Sequence, residues 1–361
     1  MMKVNFFGDI CLDGIDWQRF EFDPALRTLM DDAFNVGNLE CPITLHEVPK
    51  PLQVRNLRAP AESLALLQGF AAVSLANNHV QDYGETGCRD TLAALGQTGI
   101  SHFGLGPDQR SALTPLILER DGVRLALLGA TRYANAGDGL PGTASERPSR
   151  LRSVIRRLKA DGCFVVPYFH WGYEYVHVPS PRERGIAHAC IDAGADLVIG
   201  AHPHVWQACE TYRGRQIYYS LGNFIFHSRV FDGLSPVPND PRLQEGLVVS
   251  VQIRPDHQYD AAVHVVRLTD TSAHLLDATG SAPIRAQITA MAELLAGPRL
   301  SYLRAYFRQT PAIARQNVRI RKEYQTTVAG SWADILKVYR SFNGQDVMNR
   351  LAAAVIGRLE Q

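Results

Sequence analysis

The sequence has no apolar run approaching the roughly 18 residues that a membrane-spanning helix requires. It has no Cys-x-x-Cys pair. Cys11, Cys41, Cys88, Cys163, Cys190 and Cys209 stand apart, which excludes a cysteine-rich zinc module and a small secreted disulfide framework. Scattered cysteines in a chain of 361 residues instead read as buried thiols in a reducing compartment. There is little excess charge. The formal net charge of +1 creates no field that calls for a polyanion or a membrane surface, and no nucleic-acid partner is expected. Internal repeats and low-complexity segments are missing. Residues Met1 to Phe7 run directly into a strand and leave no room for a signal peptide. These absences lead to the expectation of a soluble, cytoplasmic protein without a transmembrane segment. Its 46% hydrophobic and 20% charged composition is that of a globular chain with a substantial core.

What is present is one recurring arrangement. Short runs rich in Val, Ile, Phe and Leu stop abruptly at residues able to bind a cation. Val4 to Phe7 leads to Asp9, Ala33 to Val36 to Asn38 and Glu40, and Ala71 to Leu75 to Asn77, Asn78 and His79. Phe164 to Phe169 leads to His170, Leu197 to Ile199 to His202 and His204, and Ile217 to Leu221 to Asn223. Such runs read as buried strands. Helical spacing lies between several of them, at Ala61–Leu67, Arg89–Thr98, Leu151–Ala160 and Arg184–Ala193. The alternation predicts an α/β fold whose strand ends gather along one edge, where ligands bind. Leu116–Glu119 and Gly122–Leu128 around Asp121-Gly122 read as a hairpin, and Glu245–Ile253 and Ala261–Leu268 as two closing strands.

Each chemical motif has an ordinary reading beside the functional one. Gly8-Asp9 is a common turn, but a carboxylate after a strand can also bind a cation. Glu40 is a solvated acid near a proline turn, or a carboxylate that bridges two ions held about 3.5–4 Å apart. Asn77-Asn78-His79 is a helix cap followed by a surface histidine, or a neutral oxygen ligand beside a proton donor. His170 is a satisfied core histidine or a ligand. His202-Pro203-His204 is a proline turn, or a pair of imidazoles serving neighbouring ions. As an ordered set, carboxylate, carboxylate, Asn-His, His and His-x-His match the edge of a dinuclear hydrolase. The oxygen and nitrogen donors suit two divalent ions of Mn, Fe, Zn or Co. The chemistry that follows is water activated for attack on phosphorus or an acyl carbon.

The residues that carry a family resemblance are Phe6-Phe7-Gly8-Asp9, Asn38-Leu39-Glu40, Ser74 to His79 with Asp82-Tyr83-Gly84, and His170-Trp171-Gly172 with Glu174-Tyr175. Gly200 to Val205 and Ser220 to Phe224 complete the series. Over about residues 3–270 the chain resembles CapA-type capsule (poly-γ-glutamate) synthesis proteins, within the calcineurin-like metallophosphoesterase superfamily. The resemblance implies a calcineurin-like α/β sandwich with a C-terminal helical extension. It implies that Asp9, Glu40, Asn78, His170, His202 and His204 are metal ligands, with Glu40 bridging and His79 as the catalytic proton donor. Asn223 would line the site, and Glu174 would be a substrate-contacting or outer residue. Metallophosphoesterases at large carry His two residues after the first Asp. Cys11 stands there in this chain, which leaves either a weakly held first metal or a Cys11 thiolate. Many members carry an N-terminal membrane anchor, which this chain is expected to lack.

The composition changes near residue 283. Residues 283–361 hold 12 Lys and Arg against 5 Asp and Glu, about +7, which leaves about −6 for residues 1–282. The expected organisation is a metallophosphoesterase-like domain over 1–282 and a basic helical extension over 283–361. The extension either packs on its own domain or docks an acidic partner. The substrate expected is an anionic small molecule or polymer, processed as a phosphoester; the alternatives are processing of a poly-γ-glutamate amide or a biosynthesis accessory role without catalysis.

Overall fold

The structure, a computed structural model, describes residues 1–50, 55–137, 141–228 and 241–309. The chain opens with β1 (Met2–Ile10), β2 (Glu21–Phe22), α1 (Pro24–Met30), β3 (Phe34–Leu39), a 3₁₀ segment (Ala61–Leu67) and β4 (Phe70–Ser74). It continues with α2 (Gly84–Thr98), β5 (Ser101–Phe103), β6 (Leu105–Gly106), α3 (Gln109–Ala112), β7 (Leu116–Arg120), β8 (Val123–Thr131) and β9 (Gly142–Thr143). Next come α4 (Pro148–Ala160), β10 (Phe164–His170), α5 (Pro181–Asp192), β11 (Leu197–Ala201), β12 (Cys209–Tyr212), β13 (Arg215–Tyr218) and β14 (Asn223–Ile225). The last are β15 (Glu245–Ile253), β16 (Tyr259–Thr269), β17 (Ser272–Leu275) and α6 (Ala278–Ala296).

Two large sheets form. The first runs β2-β17-β16-β15-β1-β3-β4-β5, with β14 added in parallel beside β1. The second runs β12-β13-β11-β10-β8-β7. Within the first, β1, β3, β4 and β5 are parallel, and within the second β13, β11, β10 and β8 are parallel. Parallel strands need both faces covered, and the alternation of side chains shows how this is met. In β8, Leu125 and Leu127 enter the core between the sheets, while Ala126 and Leu128 enter the core beneath α4 and α5. In β1, Val4 and Phe6 face the inter-sheet core, and Phe7 and Ile10 face the cluster that contains α1, the 3₁₀ segment and α2. The result is an α/β sandwich of four layers, with helices outside and two sheets inside. The Tyr168 hydroxyl donates to the Phe7 carbonyl and ties the sheets together at their centre.

Local chemistry sets the element boundaries. Ser180 and Glu183 form a reciprocal capping box at the start of α5, with Pro181 in its first turn. Gly99 closes α2 in the left-handed conformation. Asp121 and Gly122, both at positive φ, make the tight turn between antiparallel β7 and β8 that the hairpin reading expected.

One expectation needs correction. The chemistry-bearing strand ends do not lie on the edge of one sheet. Asp9 and Asn38 lie near the ends of β1 and β3, and the Asn77–His79 turn follows β4, all in the first sheet, while His170 ends β10 and His202 and His204 follow β11 in the second. Helix α6 begins at Ala278 and so runs across residues 282 and 283. A further helical stretch starts at residue 299 and continues to 309. Residues 310–361, the rest of the expected basic extension with the helices expected at Trp332–Phe342 and Val347–Leu359, lie outside the described residues. Among the described residues, no helix is long and apolar enough to cross a membrane. All six cysteines are free, and five are buried.

Candidate metal centre

The carboxyl ends of the parallel strands of both sheets meet at one rim. Asp9, near the end of β1, is fully buried. Its Oδ1 accepts from Asn38 Nδ2 (2.8 Å), and its Oδ2 accepts from the backbone N–H of His202 (2.9 Å). Asn38 Nδ2 also donates to His170 Nδ1 (3.1 Å), so one amide on β3 connects both sheets. The other nitrogen of His170 lies 2.6 Å from Asn78 Oδ1.

Glu40 is at the focus. It follows β3, its backbone N–H donates to the Ile10 carbonyl (2.8 Å), and its side chain has no exposed surface. Its Oε1 is 3.7 Å from Nε2 of His170 and 3.7 Å from Nε2 of His204. Among the described residues neither of its oxygens has a hydrogen-bond donor. A buried carboxylate without donors is costly unless a cation is present.

His204 is oriented from the far side. Asn223 Nδ2 donates to the Leu243 carbonyl (2.9 Å), so Asn223 Oδ1 is the acceptor for His204 Nδ1 (3.1 Å). The proton therefore sits on Nδ1, and the Nε2 lone pair faces Glu40. His202 Nε2 is 3.3 Å from the Tyr133 hydroxyl, and its Nδ1 is buried without a partner. Both loop histidines occupy positive φ, 99° for His202 and 58° for His204. Such strain in non-glycine residues costs about 1–3 kcal/mol each and clusters at functional sites. The close approach that brings β14 to β1 depends on glycine. A Cβ on Gly8 would lie 1.9 Å from the Gly222 carbonyl oxygen, while the Asp9 N–H donates to that same oxygen (2.9 Å).

The electrostatics follow from burial. Burial pushes the Asp9 carboxyl up to about 7, against the opposing bonds from the His202 N–H and Asn38. Glu40 is raised well above the carboxylate range by burial and then by the negative charges of Asp9 and Glu174. Burial lowers His170 and His202, with neighbouring imidazoles adding to it, and brings His204 down to about 3. These imidazoles are neutral and carry lone pairs at physiological pH. His79 goes the other way. Burial pulls it down, but Asp82, whose Oδ2 is 2.7 Å from His79 Nδ1, outweighs that and raises it. Asp82 is fully buried and also accepts from the Leu57 N–H (2.8 Å).

Among the described residues, three sets of acidic and histidine donors each have their ligand atoms within 4.8 Å of one another: Asp9, Glu40 and His204; Glu40, His170 and His202; and Glu174, His202 and His204. Glu40 belongs to two of them. The unpartnered Glu40 oxygens, the orphaned His202 Nδ1 and this mixed O/N donor set fit divalent cations of borderline softness. The structure thus brings together Asp9, Glu40, Asn78, His170, His202, His204 and Asn223, and it groups Glu174 with two histidines. Cys11 joins none of these sets. It lies in the hydrophobic cluster beside Cys41, and burial, with Cys41 next, holds its thiol well above its ordinary range. The helix that the capping reading expected does not begin at Asn77, since α2 starts only at Gly84; Asn77 holds the turn after β4, its Oδ1 accepting from the N–H groups of His79 (3.1 Å) and Val80 (2.8 Å). Sequence reasoning left Asn38 and Asp82 without a role and passed over Tyr133. Asn38 stands two residues before Glu40 and Asp82 three residues after His79, spacings that set both beside residues the sequence singles out. Tyr133 carried no signal.

The family model for the bacterial capsule synthesis protein PGA_cap matches residues 3–228. The capsule biosynthesis protein CapA of Bacillus anthracis is 36% identical over 226 residues, covering 59% of this chain and 54% of that protein. The PGA biosynthesis protein CapA of Bacillus subtilis is 35% identical over 244 residues, covering 63% of each. The chain therefore spans between about half and somewhat under two thirds of the length of these curated relatives. A solved structure described as a novel phosphatase, from Mycoplasma pneumoniae, aligns over 73% of this chain and 93% of its own at 12% identity and a TM-score of 0.47, too distant to bear on function.

Proposed function

The chain belongs to the bacterial capsule synthesis protein PGA_cap family, and from that premise we propose that it is a metal-dependent hydrolase acting on a phosphoester. The observation that carries this reading is Glu40, a fully buried carboxylate with no hydrogen-bond donor among the described residues, ringed by imidazoles and a second carboxylate. Asp9, Glu40 and His204 would hold one cation, and Glu40, Asn78, His170 and His202 the other. Two such cations, when bound, supply charge stabilisation at the reacting phosphoryl group and a water able to act as nucleophile near neutral pH.

The remaining work falls to the chain. Asn223 keeps the His204 proton on Nδ1, so Nε2 stays a donor of electrons. Tyr133 faces Nε2 of His202, so the unpartnered Nδ1 is the nitrogen that would turn to a cation. Asn38 fixes Asp9 and His170 relative to one another. His79 is engaged through Nδ1 by Asp82, so its transferable proton is on Nε2. With its basicity raised, it keeps that proton until a leaving oxygen takes it.

The relatives are named for capsule and PGA biosynthesis, and a second reading takes the bond to be an amide of a glutamate polymer. Both are tested together. Manganese-reconstituted protein is offered a panel of phosphate esters and, separately, poly-γ-glutamate. Phosphate release that falls about 100-fold or more in His79→Gln, with metal retained, supports the phosphoester reading. Shortened polymer without phosphate release supports the amide reading. Undiminished turnover in His204→Ala overturns both.

A further inference from the structure

We propose that Arg132 is the anion-binding residue of this site, gripping a carboxylate or phosphate oxygen of the substrate next to Tyr133 and His202. The proposal rests on the metal-dependent reading above and names the group that would recognise the substrate's charge.

Arg132 directly follows β8. The register pairs Thr131, the last residue of β8, with His170, the last residue of β10, so Arg132 leaves the sheet at the same rim as the histidines. Its Nη2 donates to the Tyr133 hydroxyl (2.8 Å), and that hydroxyl is 3.3 Å from His202 Nε2. One oxygen atom therefore separates the guanidinium from a candidate ligand. Nη2 also approaches the carbonyl of Gly172 (3.4 Å), two residues after His170. The guanidinium carbon lies 4.9 Å from the Tyr133 ring centroid and 5.6 Å from that of Tyr173. Two aromatic neighbours and two acceptors hold a planar cation in one orientation before any ligand arrives.

Its charge is unmatched at close range. Among the described residues no carboxylate lies within ion-pair distance of Arg132. The arginines of α5 are matched by contrast: Arg182 pairs with Glu146, and Arg184 pairs with Glu210 (2.6 Å). The two acids that bear on Arg132 from further away are already engaged, Glu146 by Arg182 and Glu183 by the backbone N–H of Ser180 (2.8 Å). Arg132 Nε and Nη1 donate to no group among the described residues. A half-buried guanidinium with free donors suits two-point recognition of a carboxylate or phosphate. The alternative is that Arg132 only props the Tyr133 and Gly172 turns.

The test uses the full chain loaded with manganese. Metal content and melting temperature are measured for wild type, Arg132→Gln and Arg132→Lys. Inorganic phosphate and tri-γ-L-glutamate are then titrated into each by calorimetry. We expect Arg132→Gln to keep its metal and its melting temperature while losing about 10- to 100-fold in affinity for one or both anions, with partial recovery in Arg132→Lys. Loss confined to phosphate assigns the grip to a phosphoryl group. Loss confined to tri-γ-glutamate assigns it to the polymer's carboxylates. Unchanged affinity for both, binding of neither by manganese-loaded wild type, or loss of metal or of stability in Arg132→Gln would overturn the proposal while leaving the hydrolase reading standing. A wild type that holds no manganese sinks the hydrolase reading, and this proposal with it.

Discussion

Glu40 and Asp9 are the residues on which proton balance at the centre turns. Both carboxyls are raised by burial, Asp9 to about 7, while the histidines are lowered. A cation needs the carboxylate forms, so its binding near pH 7 must expel protons. Calorimetry in buffers of different ionisation enthalpy should find about one to two protons released, and affinity falling about tenfold per proton for each unit of pH below 7. Binding independent of pH between 5 and 7 would contradict the assignment. His79 gives a second prediction. Asp82 raises its pKa, so Asp82→Asn lowers it, and the alkaline limb of the kcat profile, where His79 loses its proton, moves to lower pH. The residues that carry donor atoms were legible because they end apolar runs in a fixed order. Asn38 and Tyr133 were less so, because their roles rest on partners far away in the chain, His170 for Asn38 and His202 for Tyr133. Of the adjacent asparagines, Asn77 Oδ1 accepts two N–H groups of the turn after β4 and Asn78 Oδ1 faces His170 Nε2, while the helix that follows begins only at Gly84.

At the scale of elements, the sequence predicted the strands and helices that carry the site but not how the strands divide into sheets. Each apolar run is buried on both faces, and nothing within a run states which sheet it joins. The two-sheet arrangement comes instead from long-range pairings such as β1 with β15 and β10 with β8. Short elements, among them β2, β12 and β17, carry too few residues for periodicity to register. The junction of β1 and β14 is the element contact on which the centre depends, since it sets Asp9 beside Asn223. Gly8→Ala would force a Cβ into the Gly222 carbonyl. It should cost about 3 kcal/mol in chemical denaturation and reduce metal retention, because Asp9 shifts with its strand. Full stability with full metal content would mean that the two strands can part without consequence.

Across the whole molecule, the chain after β17 is partly built into the sandwich. Ile284 and Ile288 of α6 enter the core between the sheets, and Leu295, Tyr302 and Tyr306 enter the core beneath α4 and α5. Tyr302 donates to the Pro179 carbonyl (2.9 Å), with Arg184 over its ring. Tyr302→Ala should therefore lower unfolding stability by about 3 kcal/mol while metal content stays unchanged. Loss of metal without loss of stability would place this helix in the centre itself. The sequence marked residues 283–361 by their charge, yet residues 284–306 also bury apolar and aromatic side chains in the sandwich, which net charge does not report. The account as a whole stands on the cations that Glu40 and its neighbours are arranged to hold. Elemental analysis of the full chain after manganese reconstitution and desalting tests it most directly. The account predicts about two metals per chain in wild type, and loss of both in Glu40→Gln, which removes the shared carboxylate while leaving the metal-free melting temperature near that of wild type. Wild type that retains no metal, or Glu40→Gln that retains as much as wild type, would contradict it.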